Sequence, residues 1–289
     1  MKKLLKSSLL IIISMLSLTL FGCKDSNTNN KTSNTSNMTV HYINIGQGDA
    51  ELIQVNGKNM LIDSGSRTNE KDLISYLDKL KIKKLDYVIA THPHEDHIGN
   101  MDKVIDKYEI GSFYSPKITH TTKSFENMIN SLKKKNLKIN VIKEGIDSID
   151  LGKNTKVEIF SPKSGGYGKD TSMNNYSPIM KITYGKNSFL FTGDAEKLEE
   201  NYVLNKNYNL KSDVLKLGHH GSSTSTSYKF LEKVDPSIGI ISCGIDNKYG
   251  HPHKETLANL KKLKVKIYRT DKDGTIVLES NGNKITKIN

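Results

Sequence analysis

One short segment constrains the fold of this chain more than any other. Residues 91–100 read THPHEDHIGN, with three imidazoles and two carboxylates within six positions. The residues before it, 85–90, form an apolar run that is typical of a buried strand. Because a cluster of ligand-type side chains at a strand end serves no packing purpose, we expect the chain to fold around a binding site at this point.

Imidazole and carboxylate groups are the ligands that Zn²⁺ and similar divalent ions accept, at about 2.0–2.2 Å. On an extended loop, side chains two positions apart point the same way, so His92 and His94 share one face. Asp96 and His97 lie one step further along, at the start of a predicted helix. We therefore predict that these four residues hold one divalent ion or two adjacent ions.

The spacing of apolar residues predicts a mixed α/β domain. Alternation at residues 40–45, 50–55 and 60–63, separated by glycine turns, predicts a meander of short strands. Residues 70–80 have the apolar spacing of one helical face. Further helices are expected at 125–132, 196–204, 228–234 and 255–263, and hairpins at 179–191 and 274–288. This alternation predicts one layered domain over residues 38–289.

Residues 1–22 have the organisation of an export leader. Three lysines precede an apolar core that is too short to span a bilayer comfortably. The core ends in Leu-Phe-Gly-Cys at residues 20–23, a pattern that resembles the lipobox of bacterial lipoproteins. In that class the leader is cut before the cysteine, whose thiol and new amino group carry acyl chains. The resemblance implies a lipid anchor on Cys23 and a location on the extracytoplasmic face of the cell membrane.

Residues 23–37 are expected to tether the domain to this anchor. Positions 25–37 contain no apolar residue, so they have nothing to bury and should remain extended. The other cysteine, Cys243, lies in a late apolar run, and we interpret it as a small core residue. No disulfide framework is expected from two cysteines placed in this way.

The charge of the chain is strongly positive. Lys and Arg number 43 against 31 Asp and Glu, a formal net charge of +12, and arginine occurs only at Arg67 and Arg269. This excess fits a polyanionic partner such as DNA. Evenly scattered lysines also make an ordinary solvated surface, so the charge leaves both interpretations open.

The pattern formed by His92, His94, Asp96 and His97 resembles the His-x-His-x-Asp-His signature of the metallo-β-lactamase superfamily, and the match is complete. Other motifs of that superfamily follow its order along the chain: Asp63 in LIDSG, Asp194 in FLFTGDAE, and His219-His220 in GHHGS. The resemblance implies an αββα four-layer sandwich, in which two mixed sheets pack face to face with helices outside. It also implies a metal site at one edge of the sheets.

Within this superfamily, the chain is most similar to the hydrolase domain of ComEC-type competence proteins. The similarity rests on four motifs: IGQGDA at 45–50, NNYS at 174–177, HHGSS at 219–223 and YGHPH at 249–253. It covers essentially residues 38–289. It does not include the multi-helix membrane channel of those proteins, so DNA translocation is not implied for this chain.

The resemblance implies two adjacent ion sites for Zn²⁺ or Mn²⁺, occupied by one or two ions. The first site takes His92, His94 and a bridging Asp194, and the second takes Asp96, His97, Asp194 and one of His219 and His220. The sequence does not decide between those last two imidazoles.

One departure from the superfamily pattern affects the first site. Members with two full sites have a third histidine ahead of the Gly-Asp motif, where this chain has Asn174 and Asn175. His120 is the one imidazole between His97 and Asp194, and it lies in a different segment. We expect water or a weaker amide ligand to complete the first site, with lower occupancy.

Further roles follow for residues near these ligands. Asp96 is expected to orient or deprotonate the nucleophile as well as to bind metal, and His251 to stabilise a phosphoryl oxygen or protonate the leaving group. Ser222 is a candidate contact for a substrate phosphate. Asp63 and Asp49 are expected to orient the metal loop through hydrogen bonds rather than to bind the ion.

Together these features predict a membrane-anchored, metal-dependent hydrolase that cleaves a phosphodiester, with extracellular DNA as the expected substrate. The alternatives are a lactamase, a choline or teichoic-acid phosphodiesterase, and a lipoprotein that binds DNA through lysines without efficient turnover. No obligate protein partner is inferred from the sequence.

Overall fold

The computed structural model of the chain describes residues 37–168 and 170–289, in which the strands form two sheets. The strands are β1 (Met38–Tyr42), β2 (Glu51–Val55), β3 (Lys58–Ile62), β4 (Lys84–Ile89), β5 (Glu109–Ser115), β6 (Ile139–Val141), β7 (Thr155–Ile159), β8 (Met180–Tyr184), β9 (Asn187–Phe191), β10 (Val214–Lys216), β11 (Ile238–Ile241), β12 (Lys266–Arg269), β13 (Ile276–Ser280) and β14 (Ile285–Lys287). The predicted leader and Cys23 lie outside the described residues, as does the predicted tether apart from Asn37.

The helices lie between these strands, as the apolar spacing predicts. They are α1 (Glu70–Lys79), α2 (Glu95–Ile98), α3 (Met101–Lys107), α4 (Lys123–Lys134), α5 (Lys197–Asn205), α6 (Tyr228–Val234), α7 (Lys254–Lys262) and α8 (Thr270–Asp273), with short 3₁₀ turns at Arg67–Asn69, Met173–Tyr176 and Gly218–Gly221. Within the described ranges, no helix is long and apolar enough to cross a bilayer.

The two sheets are mixed, and each is parallel on one side. The first has the order β14-β13-β1-β2-β3-β4-β5-β6 and the second β12-β11-β10-β9-β8-β7. The early meander and both predicted hairpins are antiparallel, which confirms those predictions. Strands β3 to β6 run parallel, and so do β9 to β12.

Three apolar cores define the layers. The central core lies between the sheets, where Tyr42 of β1 stacks on Phe191 of β9 with ring centroids 6.2 Å apart. A second core packs the first sheet against α1, α3 and α4, and a third packs the second sheet against α5, α6 and α7. In β2, neighbouring Leu52 and Ile53 enter different cores because successive side chains point to opposite faces. The αββα sandwich is therefore confirmed, and Cys243 is a buried core residue, as predicted.

Candidate metal centre

The predicted ligands meet where strands of both sheets end. Asp63 follows β3, the His92–His97 segment follows β4, Asp194 follows β9, and His219 and His220 follow β10. Strands β3 and β4 are parallel neighbours, and so are β9 and β10. Because parallel strands finish at the same edge of a sheet, residues far apart in the chain reach one site.

The floor of the site is a buried group of imidazoles and carboxylates. Nε2 of His97 lies 3.2 Å from Oδ2 of Asp194, and Nε2 of His92 lies 3.7 Å from the same oxygen. Nε2 of His220 lies 3.3 Å from Oδ2 of Asp96 and 3.6 Å from Oδ1 of Asp194. His92, His97 and Asp194 thus form one potential ion-binding group, and Asp96, His97 and His220 form another.

His94 lies beside the first of these groups. Its Nδ1 is 2.9 Å from Nε2 of His92, close enough for both nitrogens to face one ion. The structure therefore brings all four residues of the His-x-His-x-Asp-His motif to one place.

Three buried atoms of the cluster make no hydrogen bond to any described residue: Nε2 of His97, Nε2 of His220 and Oδ1 of Asp194. An orphaned buried polar atom costs about 1–3 kcal/mol. The other nitrogen of each imidazole is engaged, that of His97 by Asp63 and that of His220 by the carbonyl of Ser242. The free lone pairs lie together, so these residues fit a divalent cation.

The charges of the cluster also favour a cation. Burial disfavours the charged form of His220, but the carboxylates of Asp194 and Asp49 outweigh this effect and raise its pKa to about 10. Burial likewise opposes charge on His97, yet Asp194 and nearby carboxylates raise its pKa well above the usual value. The excess of carboxylates therefore draws protons onto two imidazoles. Metal binding displaces such protons, because an imidazole ligand must be deprotonated.

Asp63 lies in the orienting position expected from the sequence. Its Oδ2 accepts hydrogen bonds from Nδ1 of His97 at 2.7 Å and from the hydroxyl of Thr91 at 2.6 Å. Its Oδ1 accepts from the Thr91 amide at 2.8 Å. A carboxylate on the far nitrogen of an imidazole fixes its tautomer and ring orientation. Asp63 thereby aims Nε2 of His97 into the cluster.

Ser177 links two of the loops, although the sequence assigns it no role. Its Oγ lies 3.2 Å from Nδ1 of His92 and accepts a hydrogen bond from the amide of Asp194 at 3.1 Å. A single hydroxyl thus positions both His92 and Asp194. The sequence feature that could have pointed to Ser177 is its place in the NNYS motif at 174–177.

The adjacent histidines lie in a strained turn that separates their roles. His219 and His220 have positive φ angles of 48° and 54°, a conformation that costs a non-glycine residue about 1–2 kcal/mol. The His219 amide donates to the carbonyl of Gly193 at 3.0 Å and holds the turn. His220 is 1% exposed and joins the buried group, whereas His219 is partly exposed, with Nε2 3.7 Å from Asp194. The geometry therefore favours His220 as the ligand that the sequence leaves open.

Lys216 is a buried site residue that sequence reasoning misses. Its ammonium nitrogen lies 2.7 Å from Oδ2 of Asp49 and 4.0 Å from Oε1 of Glu51. The other oxygen of Asp49 lies 3.3 Å from Nδ1 of His220. Burial raises the pKa of Asp49, but Lys216 and His220 outweigh burial and lower it, so Asp49 remains ionised. The sequence feature that could have pointed to Lys216 is its position as a single lysine inside the apolar run 214–217.

The amides that replace the third histidine lie against Glu196. Nδ2 of Asn174 donates to Oε1 of Glu196 at 3.1 Å and lies 3.4 Å from Nδ1 of His219. Asn175 donates to Oε2 of Glu196 and accepts from the Glu196 amide, both at 3.2 Å. Oδ1 of Asn174 is buried and makes no hydrogen bond within the described part of the chain. Asn174 therefore offers a free amide oxygen beside His219, whereas both ends of the Asn175 amide are occupied.

A cleft of about 730 Å³ opens above the cluster. Asp96, Asp194 and His219 face it, together with residues of the segments 120–122 and 247–251. Its size suits a ligand as large as a nucleotide. His120, which the sequence places in a separate segment, lies at this cleft with its ring centroid 6.4 Å from that of His94.

The structure bears differently on the two predicted substrate contacts, Ser222 and His251. Ser222 is 2% exposed, and its hydroxyl accepts from the amide of Thr224 at 3.3 Å. A hydroxyl used inside a turn does not reach a bound phosphate, so its position argues against the predicted contact. His251 lines the cleft, but burial and the neighbouring His220 lower its pKa to about 4. It is therefore neutral at pH 7 and suited to donate a hydrogen bond rather than to serve as a protonated acid.

An αββα sandwich with buried imidazoles and carboxylates at its strand ends is the architecture of a metal-binding protein of the metallo-β-lactamase type. The chain belongs to the metallo-beta-lactamase superfamily, whose family model matches residues 43–245. It is 32% identical to ComE operon protein 3 of Bacillus subtilis over 255 residues, 82% of this chain and 32% of that protein. It is 30% identical to Recombination protein 2 of Haemophilus influenzae, over 82% of this chain and 28% of that protein. The chain thus spans about a third of the length of these relatives.

Solved structures show the same fold. The metallo-beta-lactamase fold protein YhfI from Bacillus subtilis has a TM-score of 0.56 and 14% identity, covering 84% of this chain and 100% of that one. Igni18, a metallo hydrolase from Ignicoccus hospitalis, has a TM-score of 0.51 and 17% identity, with the same coverage of both chains. The chain is thus a member of this superfamily with a side-chain cluster able to bind metal ions, and it has Competence protein ComA of Neisseria gonorrhoeae among its relatives.

Proposed function

We propose that the chain is a phosphodiesterase that acts on nucleic acid at the outer face of the cell membrane. The observation that carries this proposal is the set of unpartnered atoms on His97, His220 and Asp194 beneath an open cleft. Similarity to competence proteins and the net charge of +12 support a polyanionic substrate. The lipobox-like sequence ending at Cys23 supports the location.

The proposed ligand sets are those that the resemblance implies; they differ from the two geometric groups because His94 joins the first set and Asp194 serves both. His92, His94 and Asp194 would hold one ion, with the Asn174 amide oxygen or water beside them, and Asp96, His97, Asp194 and His220 would hold the other. Zn²⁺ and Mn²⁺ are the ions we propose. A bound divalent ion lowers the pKa of water to about 7 and polarises a phosphoryl oxygen.

The chain's own residues orient the reactants. The side chain of Asp96 is 29% exposed and lines the cleft. Burial opposes its ionisation, but His97 and His220 hold its pKa well below the usual range, so it accepts a hydrogen bond from an attacking water. His251 is neutral and donates a hydrogen bond to a phosphoryl oxygen. Asp63 and Asp49 hold His97 and His220 in place from behind.

Residues 24–289, purified with Zn²⁺ or Mn²⁺, should cleave plasmid DNA and bis(p-nitrophenyl) phosphate. The variant Asp96→Ala with His97→Ala should lose at least about a hundredfold in rate, because the proton acceptor and a ligand are both removed. Asp106→Ala, a change at an exposed position of α3, is the matched control and should retain activity. Absence of cleavage of either substrate with every metal would refute the phosphodiesterase.

Asn174 in place of a third histidine favours a second candidate, a DNA-binding protein without efficient turnover. Such a protein would retain DNA with every metal, would not cleave it, and would release it steeply with added salt. The same preparation should be assayed on a lactam reporter and on choline and glycerol phosphodiesters. Faster cleavage of one of these than of DNA would reassign the substrate.

The anchor is tested separately. Cys23→Ser should move the protein from the membrane fraction to the soluble fraction and change its size on a gel. A variant that remained membrane-bound and unshifted would show that Cys23 carries no lipid.

A further inference from the structure

A half-exposed tyrosine lies at the mouth of the cleft. Tyr249 is 51% exposed and lines the cleft with Lys248. The function proposed above uses neither residue. An exposed aromatic ring beside a cation, next to a metal cluster, needs an explanation because exposure of its apolar face to water is unfavourable.

The loop that carries Tyr249 is closed by the side chain of Asn247. Nδ2 of Asn247 donates to the carbonyls of Gly244 at 3.0 Å and His251 at 2.7 Å. Its Oδ1 accepts from the His251 amide at 2.9 Å. One amide group therefore bonds to both ends of the loop and limits its conformational freedom.

His253 fixes the backbone of Tyr249 itself. The amide of Ser223 donates to Nδ1 of His253 at 2.9 Å, so Nδ1 is an acceptor and the ring proton lies on Nε2. Nε2 then donates to the carbonyl of Tyr249 at 3.1 Å. The loop is thereby tied to the turn that follows His219 and His220.

The ring of Tyr249 has two neighbours, the imidazole of His251 and the ammonium group of Lys248. It stacks on the ring of His251 with centroids 5.6 Å apart and planes 20° from parallel. Nζ of Lys248 lies 5.1 Å from the centroid of the Tyr249 ring and has no carboxylate within 4 Å among residues 37–168 and 170–289. The tyrosine is therefore positioned in advance, and the exposed lysine, which contacts its ring but no described carboxylate, can move aside to pair with an anion as a base stacks on the ring.

We propose that Tyr249 and Lys248 recognise a nucleotide, with Tyr249 stacking on a base next to the scissile phosphate and Lys248 pairing with a neighbouring phosphate. This inference rests on the proposed function and adds the substrate class: single-stranded nucleic acid, because bases inside a duplex are already stacked. Every base has a π-face, so the surface tolerates any sequence. Choline and glycerol phosphodiesters offer no flat group for Tyr249.

The test compares two fluorescent probes of equal length and charge, both with phosphorothioate linkages that resist cleavage. One is a short oligothymidylate and the other is its abasic counterpart. Fluorescence anisotropy with the full-length, Zn²⁺-loaded protein should show about tenfold tighter binding of the probe with bases. Tyr249→Leu should remove that difference, and Tyr249→Phe should preserve it.

Lys248→Gln should weaken the binding of both probes equally and reduce the slope of log affinity against log salt by about one unit. Lys83→Gln, before β4 and at its opposite end from the cleft, is the matched control and should change neither. Equal affinity of wild type for the two probes, or an equal loss of both in Tyr249→Leu, would overturn the inference. Because binding is measured without turnover, a protein that cleaves nothing would refute the phosphodiesterase and still decide this question.

Discussion

The amide of Asp49 donates a hydrogen bond to the carbonyl oxygen of Asp96 at 3.2 Å and joins the first turn of the domain to the loop that carries the candidate ligands. The two backbones approach closely because the residue before Asp49 is a glycine. At Gly48, where φ is +136°, a Cβ atom would lie 2.2 Å from that same carbonyl oxygen. The position of Asp96 therefore requires a residue without a side chain at position 48.

Gly48→Ala should lower metal affinity at least about tenfold, because the added Cβ clashes with the Asp96 carbonyl and displaces Asp96. Losses of this size are typical when a residue that orients a metal ligand is removed. Competition with a coloured chelator measures this affinity. Gly57→Ala is the matched control, since Gly57 also has positive φ, +74°, but no atom lies within 4 Å of its added Cβ. It should cost about 1–2 kcal/mol of stability from backbone strain and leave metal affinity unchanged. Equal losses of affinity would show that the close approach is unimportant.

Lys216→Met should destabilise the fold by about 3–5 kcal/mol, because it leaves the carboxylate of Asp49 buried without its partner. Urea denaturation monitored by circular dichroism gives the free energy of unfolding. Adding Asp49→Asn should recover part of the loss, because it removes the unpaired charge. Lys211→Met breaks an ion pair whose two side chains are 71% and 69% exposed, and it should have no measurable effect. If Lys216→Met were as harmless, the buried pair would not stabilise the fold.

Asp63→Asn should reduce metal affinity about 10- to 100-fold, because it replaces the carboxylate that receives Nδ1–H of His97. Asparagine tolerates the positive φ of 57° at this position, so the backbone should not change. Isothermal titration with Zn²⁺ measures the loss, and an unchanged far-ultraviolet spectrum shows that the fold is intact. Wild-type affinity in this variant would remove Asp63 from the metal site.

Metal binding should stabilise the protein. At a free Zn²⁺ concentration about a hundredfold above the dissociation constant, the free energy of unfolding should rise by about 2.7 kcal/mol. This corresponds to an increase in Tm of about 5–10 °C for a domain of this size, measured by calorimetry before and after chelation. Asp194→Asn removes a charged oxygen from both ligand groups and should abolish most of the shift. An equal shift in that variant would place the ion elsewhere.

His41 should make stability depend on pH below neutrality. It is 5% exposed, and burial lowers its pKa to about 4, although a hydrogen bond with Gln54 opposes this shift. The unfolded chain, with a pKa of about 6.5, takes up the proton first, so the contribution is complete above that pH and declines as pH falls towards 4.

The loss between pH 7 and pH 4 should reach about 3 kcal/mol for this group. His41→Gln cannot titrate, and its free energy of unfolding should fall less over the same interval. Denaturation curves at matched pH values for the two proteins isolate the difference. Parallel curves would contradict the assignment to His41.

Much of the fold and the ligand set could be predicted because the signals are local. The alternation that predicts β1 to β3 and the helical spacing of α1 each occupy one window of the chain, and all four elements form within three residues of the predicted limits. The His92–His97 motif is likewise read from one segment. The motifs around Asp63, Asp194 and His219 are identified through the resemblance to the superfamily, whose order along the chain they follow.

Residue pairs brought together by folding could not be predicted in this way. Lys216 and Asp49 lie 167 positions apart, and only the packing of the two sheets brings them within hydrogen-bonding distance. Ser222 is predicted to contact phosphate because it follows His219 and His220 in the sequence. In the structure it is buried, and its hydroxyl accepts a hydrogen bond from the amide of Thr224. Tyr249 lies at the cleft because Asn247 and His253 hold its loop there, and neither contact can be read from a local pattern.

The sequence by itself determined the class of chemistry, since the order of imidazoles and carboxylates along the chain defines a metal-binding set. The tertiary structure decided which of two adjacent imidazoles is buried among these residues. His219 and His220 have the same side chain, and each has one glycine and one histidine beside it in the sequence, so no local pattern separates them. Their left-handed turn, held by contacts from the loops after β9 and β11, directs His220 into the buried cluster and leaves His219 partly exposed at the cleft.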